Sequence, residues 1–359
     1  MPRGHVTALF LFEVADAIDL EAVRRHSAAT APAPLSTKPP TPAYLQYAQP
    51  PIVIDGAALD VGDAHGFRVR FKTFEYGVVS VALTRPLPDG WAAVLEAGIG
   101  WHEDATLIAD AERLCRHLLD RISGAVTRRR DTFLNEDYLV FTVHPDADVP
   151  DATTLLATRG GLIAQLLRGE RDTLSDQERE NVLGHRISYY ATDVVIPTWS
   201  SALVYDTEGG AQGALEILEF ANSQLLEFRY YDQLLDRELA RTYASLQRGG
   251  WLRTLLGRRY IRAARQVHAF FIDVNELTDK TENALKIAGD VYAARLFGLA
   301  AARLGLDRWK ANVSDKLKTL DDIYRFAVEH MGMARGEFLE ATVVLLILLE
   351  IVLLAIGNG

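Results

Sequence analysis

The spacing of hydrophobic positions changes twice along this chain, and the changes divide it into three parts. In the first part short apolar runs and period-two alternation dominate. Val6 to Val14 reads as a buried strand, followed by a short helix near Leu20 to Ser27. The proline-rich stretch from Ala31 to Pro51 reads as an irregular connector. Phe67, Val69, Phe71 and Thr73 alternate along a strand. Glu75-Tyr76-Gly77 punctuates it and Val78 to Val81 resumes it, which predicts a hairpin or a bulged long strand. Helices are expected near Gly90 to Glu96, from Glu103 to Ile122 and from Thr153 to Leu167, with another short one before Gly184. Strand is expected at Tyr138 to Val143 and again over the aromatic and β-branched stretch Arg186 to Tyr205.

After Asp206 the period becomes helical, and from Gly213 onward there is no proline. Ala214, Leu218, Ala221, Leu225, Phe228, Leu235 and Leu239 fall on one stripe, with Asp232 as its polar break. Ala264, Val267, Phe271, Val274, Leu285 and Ala288 mark a further helix. Val313, Leu317, Leu320, Tyr324, Ala327 and Met331 alternate in fours and threes, the seam of a coiled coil or helical hairpin. Turns are expected near Gly249-Gly250 and Gly305.

The third part runs from Phe338 to Ile356, where apolar residues occupy every helical face. Such a helix is either fully buried or in a membrane. A bilayer core takes about 20 apolar residues at about 1.5 Å rise each, and this run just reaches that length. Twelve Leu, Ile and Val residues lie between Val343 and Ile356. Together they favour insertion by about 4–7 kcal/mol, against roughly 3 kcal/mol for a central acidic residue. The anchor is therefore expected to comprise Phe338, Val343, Leu346, Leu349, Glu350 and Leu353, with Glu350 protonated or facing a partner helix. The alternative is a very apolar helix in a protein core or an oligomer seam.

These patterns predict an α+β fold: a mixed strand/helix N-terminal domain (1–205), long antiparallel helices in a hairpin or coiled-coil region (206–337), and a C-terminal apolar, transmembrane helix (338–356). The N-terminal apolar run is short and is interrupted by Glu13, Asp16 and Asp19, so it does not read as a signal peptide. The expected location is a single pass at the C-terminus with the body in the cytoplasm.

Composition adds limits. Hydrophobic residues are 49% and charged residues 24%, as in an ordinary globular chain. A net charge of -10 argues against generic charge-driven nucleic-acid binding. Cys115 is the single cysteine and reads as a small core residue. One local basic patch departs from the acidic balance: Arg248, Arg253, Arg258, Arg259, Arg262 and Arg265 occur with no acidic residue between Arg248 and Ile272. Arg258, Arg262 and Arg265 share a helix face. Such a row suits anionic lipid headgroups or RNA phosphates, and is also the pattern of a solvated face paired with carboxylates. Arg128-Arg129-Arg130 reads as a smaller, solvated loop cluster.

No specific catalytic pattern occurs. There is no phosphate loop, nucleophile elbow or His-Glu-x-x-His helix, and Gly98-Ile99-Gly100 is followed by Glu103 where a dinucleotide fingerprint places glycine. His102-Glu103-Asp104 reads as an acidic helix start; a metal or acid/base site with Glu75 is the functional alternative. Trp199-Ser200-Ser201 and Tyr205-Asp206 are expected to cap and pack at a strand-to-helix junction. No cofactor is expected.

Asp315-Lys316-Leu317, Asp321, the helix through Arg335, Glu340 and the run closed by Leu349-Glu350-Ile351-Val352 together resemble the C-terminal end of the required-for-meiotic-nuclear-division family. Phe74-Glu75-Tyr76-Gly77-Val78-Val79 is similar to that family's aromatic, glycine and valine strand. Leu225 to Asp232 is this chain's own variant, and Trp309 stands off the place of the Tyr-Trp motif of mitochondrial relatives. The resemblance implies a membrane-associated, non-enzymatic role, linked in mitochondrial members to inner-membrane support of translation, with no catalytic residues to carry over. The expected function is a membrane-tethered scaffold with a protein partner or a second copy of itself. A nucleic-acid or ribosome-binding adaptor using the arginine row and a metal-dependent hydrolase using Glu75, His102 and Asp104 are the alternatives.

Overall fold

A computed structural model describes residues 3–27, 50–59, 66–247 and 291–323, with the single positions 272, 325, 343 and 346. It divides into two compact units: Met1–Tyr230 with Asp279–Trp309, and Tyr231–Thr278 with Lys310–Gly359.

The first unit is built on a seven-stranded mixed sheet. Its strands are β1 (Arg3–Glu13), β3 (Ile52–Asp55), β4 (Arg68–Thr73), β5 (Val78–Pro86), β7 (Leu134–His144), β8 (Val194–Pro197) and β9 (Ser201–Tyr205), in the order β3-β4-β5-β1-β7-β9-β8. All neighbours are antiparallel except β7 and β9, which are parallel and joined through α4 (Ala152–Arg168) and α5 (Asp176–Gly184). A small ribbon pairs β2 (Ala17–Ile18) with β6 (Val126–Thr127). β1 lies at the centre because its apolar residues alternate to both faces and both faces are covered.

One face carries Val6, Ala8, Phe10 and Phe12 and packs with α1 (Leu20–Ser27), α2 (Trp91–Glu103), α3 (Ala105–Arg121) and α4 in a continuous apolar core. Cys115 sits in that core, and burial pushes its thiol far up. Leu166 of α4 approaches α2 so closely at Gly98 that a Cβ there would collide with it, which explains the glycine without a dinucleotide role. The opposite face is covered by the part of α6 (Glu208–Gln247) that lies before residue 231, together with α7 (Val291–Leu304), whose Phe297 ring lies 5.6 Å from that of Phe220. The helix is 40 residues long, and every residue from Ile217 to Phe228 is buried. Its apolar stripe falls on expected positions, but the polar side is buried too, because it lies against the sheet.

The expected hairpin forms at Phe74–Gly77, with Gly77 at φ 89°. The aromatic stretch before Tyr205 is two antiparallel strands with an isolated bridge, Ile187 to Val195, rather than one strand. α7 ends at Gly305 in the left-handed region (φ 69°), and helix resumes over residues 306–323 (α8).

In the second unit Val313, Leu317 and Leu320 of the expected seam are buried, as is Leu235 of α6. Lys316 Nζ bridges Asp232 and Asp236 at 2.7 and 2.6 Å, so the polar break at Asp232 has a cationic partner. Tyr324, Ala327 and Met331 lie outside the described residues, as does the helix expected over Ala264 to Ala288. The apolar run also lies outside them at Phe338, Leu349, Glu350 and Leu353. Val343 and Leu346 are described, both helical. Among the described residues no helix is long and apolar enough to cross a membrane.

Candidate functional site

The unusual chemistry of the first unit lies between the sheet and α6. Buried polar side chains occur there in two groups along the helix: Glu219, then Asn222, Ser223, Gln224 and Glu227. They meet a polar row on the sheet side: Lys72 of β4, Ser80 of β5, Tyr76 of the hairpin turn, and Glu13 at the end of β1.

Lys72 and Glu219 form an ion pair with both side chains almost wholly buried. Burial works against the charged form of Glu219. The Lys72 ammonium, followed by Arg70, outweighs it and holds the carboxyl below its ordinary value. Ser80 adds a hydroxyl beside it. One turn further along the helix, Tyr76 Oη and Ser223 Oγ are 2.7 Å apart, and Ser223 donates back to the Phe220 carbonyl at 2.8 Å. Burial raises Tyr76 well above an ordinary phenol, so it stays neutral. The turn that delivers Tyr76 is fixed to the chain after β1: Val14 N–H donates to Gly77 O, and Ile18 N–H to Glu75 O, both at 2.9 Å. A Cβ at residue 77 would run into the Ala15 carbonyl, so only glycine allows this approach.

At the end of β1, Arg130 donates from Nε and Nη2 to Glu13 Oε1 (3.3 and 2.7 Å), from Nη1 to Asp16 Oδ1 (2.9 Å) and from Nη2 to the Ala15 carbonyl (3.1 Å). Its guanidinium lies 4.1 Å from the Tyr230 ring centroid. This corrects the reading of Arg128-Arg129-Arg130 as solvated at Arg130 alone, which is mostly enclosed; Arg128 and Arg129 are exposed and form surface pairs with Asp16 and Asp120. Burial pushes the Glu13 carboxyl above its ordinary value, against the pull of a Glu227 hydrogen bond and of Arg130. Arg229 of α6 pairs with Glu136 of β7.

The layer places a buried ion pair, a hydroxyl pair and an arginine–carboxylate contact between sheet and helix, and these tie the helix to one register on the sheet. The sequence signal for it was a polar face at 219, 222–224 and 227, opposite an apolar stripe, which by itself reads as a solvated side.

The other sequence candidates have structural roles. His102 Nε2 is 3.1 Å from the Leu166 carbonyl, its ring lies against Phe141, and burial lowers its pKa. Asp104 is the N-cap of α3, accepting from Thr106 N–H and hydroxyl at 2.9 and 2.6 Å. Glu75 belongs to the hairpin turn. Among the described residues no three His, Cys, Asp or Glu side chains group to hold a metal ion. Ser201 and Thr198 close a tight turn that also receives the Tyr138 hydroxyl, and Tyr205 donates to Val149 O at 2.5 Å, so Ser201 and Tyr205 pack as expected, whereas Trp199 is exposed. Arg253, Arg258, Arg259, Arg262 and Arg265 lie outside the described residues.

Residues 3–212 match the family model described as the N-terminal domain of the uncharacterized protein MJ0711. A relative from Methanocaldococcus jannaschii, the uncharacterized protein MJ0711 itself, is 25% identical over 214 residues, which cover 59% of this chain and 65% of the relative. The match thus spans just under two thirds of the relative's length. No solved structure matches. The matched residues contain the whole sheet and the sheet side of the polar layer, Glu13, Lys72, Tyr76, Ser80 and Arg130, while its helix side lies beyond residue 212. By that match over more than half its length, this chain belongs to the family of the MJ0711 N-terminal domain.

Proposed function

We propose that this protein is a membrane-tethered, non-enzymatic scaffold of the required-for-meiotic-nuclear-division type, held by its C-terminal apolar helix with the body on the cytoplasmic face. The observation that carries the reading is the tail. Val343 and Leu346 are a turn apart on helical backbone, and they leave 51% and 57% of their surface exposed. They belong to a run that is apolar on every face, so exposed side chains there gain by transfer to lipid. Glu350 in that run is the candidate contact for self-association, since a carboxyl in lipid requires a proton or a donor from a neighbouring helix. The seam residues Val313, Leu317 and Leu320 are already buried within one chain, which leaves self-association to the tail.

The test is fractionation of full-length protein beside a version ending before Phe338, with carbonate and high-salt washes. The expected result is that only the full-length form stays in the membrane pellet. Full-length protein that is soluble and monodisperse would overturn the anchor. Crosslinking in membranes that yields only monomers would remove self-association.

A second reading rests on the arginine row from Arg253 to Arg265, which stands out in an acidic chain. Salt-sensitive RNA binding supports an adaptor. Charge reversal at Arg258 and Arg262 that weakens association with anionic vesicles instead assigns the row to lipid headgroups.

A further inference from the structure

At one corner of the first unit β1 begins, β7 ends and α6 starts, and two half-buried histidines meet there. The register sets His5 opposite Thr142 and His144 opposite Arg3, so the histidines are diagonal neighbours across the β1–β7 pair. Their ring centroids are 6.0 Å apart. His144 Nδ1 lies 2.8 Å from the Asp206 carbonyl, which only accepts, so Nδ1 carries the hydrogen and donates it. The Asp206 N–H donates in turn to the Val143 carbonyl at 3.2 Å. Asp206 stands between β9 and α6, so these two bonds fix the start of the helix to the end of β7. The fit is close: a Cβ at Gly210, in the first turn of α6, would strike the Asp206 carboxylate.

We propose that His5 and His144 form an acid-sensitive latch: as neutral rings they let β1, β7 and the start of α6 pack together, and when both are protonated their repulsion loosens that corner. The other charges around the pair come from four places. Arg68 and Arg70 of β4 add positive charge beside His5, and Glu208 of α6 opposes them. Arg3 of β1 lies across from His144. The Asp206 carboxylate serves its own helix start, accepting from the Thr207 N–H at 2.6 Å. Burial, the His144 ring and the two arginines together outweigh Glu208 and hold His5 below the ordinary 6.5.

The sign follows from linkage. A group held below its unfolded value stabilises the fold fully above that value, and the contribution is lost as pH falls from there through the folded value. For His5 the loss therefore begins near 6.5 and continues downward. The experiment follows 15N-histidine spectra of the full chain from about pH 8 to about pH 5, for the wild type, His5→Gln and His144→Gln. The His5 midpoint is expected to rise by roughly 0.5 pH units or more when His144 is replaced. Amide exchange from Thr207 to Gly213, corrected for its intrinsic pH dependence, is expected to quicken about 3–10-fold below about pH 6 in the wild type and to stay level in His5→Gln. A His5 midpoint unmoved in His144→Gln overturns the coupling. Exchange that quickens equally in His5→Gln overturns the latch. If neither variant folds, the wild-type titration decides, the pair being recognised by the through-space contact of its rings. Curves that spread one another are expected, with His144 Nδ1 protonated throughout; two independent single-proton curves overturn the proposal.

Discussion

Lys72 and Glu219 show why a buried charge is a liability when its partner is removed. Each is enclosed, and each balances the other across the sheet–helix contact. Replacing Lys72 with Met strands the Glu219 carboxylate and is expected to cost about 3–5 kcal/mol in denaturant unfolding. The double change Lys72→Met with Glu219→Leu is expected to recover most of that, because two matched apolar groups carry no desolvation cost. A double variant as unstable as the single one would mean that the ion pair contributes net attraction. Gly77→Ala is a second test at this scale. The positive φ and the Ala15 carbonyl both exclude a Cβ, so a loss of roughly 2 kcal/mol or more is expected. Neither Glu219 nor the Gly77 approach is marked in the sequence as special. Their meaning comes from partners 147 residues away, in the case of Lys72 and Glu219, and on the distant segment after β1, in the case of Gly77.

α6 is where element-scale reading worked halfway. Its length, lack of proline and apolar stripe announce a long helix, and the stripe positions Ala214, Leu218, Ala221, Leu225 and Phe228 are buried. The opposite side reads as solvent-facing because it carries Glu219, Asn222, Ser223, Gln224 and Glu227. Those side chains are buried because the sheet presents matching polar groups, a fact that no local window contains. The hydroxyl pair Tyr76–Ser223 belongs to this docking. Tyr76→Phe is expected to destabilise by about 1 kcal/mol, with faster amide exchange along α6 as the readout. Unchanged exchange in α6 would place the Tyr76 hydroxyl outside the docking. The resemblance segment Phe74 to Val79 thus acts here as a turn that inserts a tyrosine against the helix, a role the alternation alone did not indicate.

At the scale of the whole molecule, the matched family region ends at residue 212, while the second face of its sheet is covered by helix beyond that point. Leu9, Leu11 and Glu13 of β1 lie on that face and are buried in the full chain. A fragment of residues 1–212 is therefore expected to bind a hydrophobic dye and to lose the cooperative melt of the full chain, since an uncovered apolar sheet face does not remain in water. A fragment that melts cooperatively and stays monomeric would mean that α6 is an addition to a domain complete without it. The C-terminal tail makes its own demand at this scale, answered by the fractionation of full-length and truncated protein.

By itself the sequence determined the α+β class, the strand at the N-terminus, the break between two strands at Tyr76-Gly77, the helices α3 and α4, and the long proline-free helix. Each of these is written in local spacing or in a turn residue, and local physics is enough to read it. The tertiary structure alone decided the central place of β1, the parallel pairing of β7 with β9, the burial of Arg130, and the polar layer from Lys72–Glu219 to Glu13–Arg130. Those features depend on which residues distant in sequence are brought into a low-dielectric space. There a charge is retained only if its partner is already waiting, and spacing along the chain carries no record of that partner.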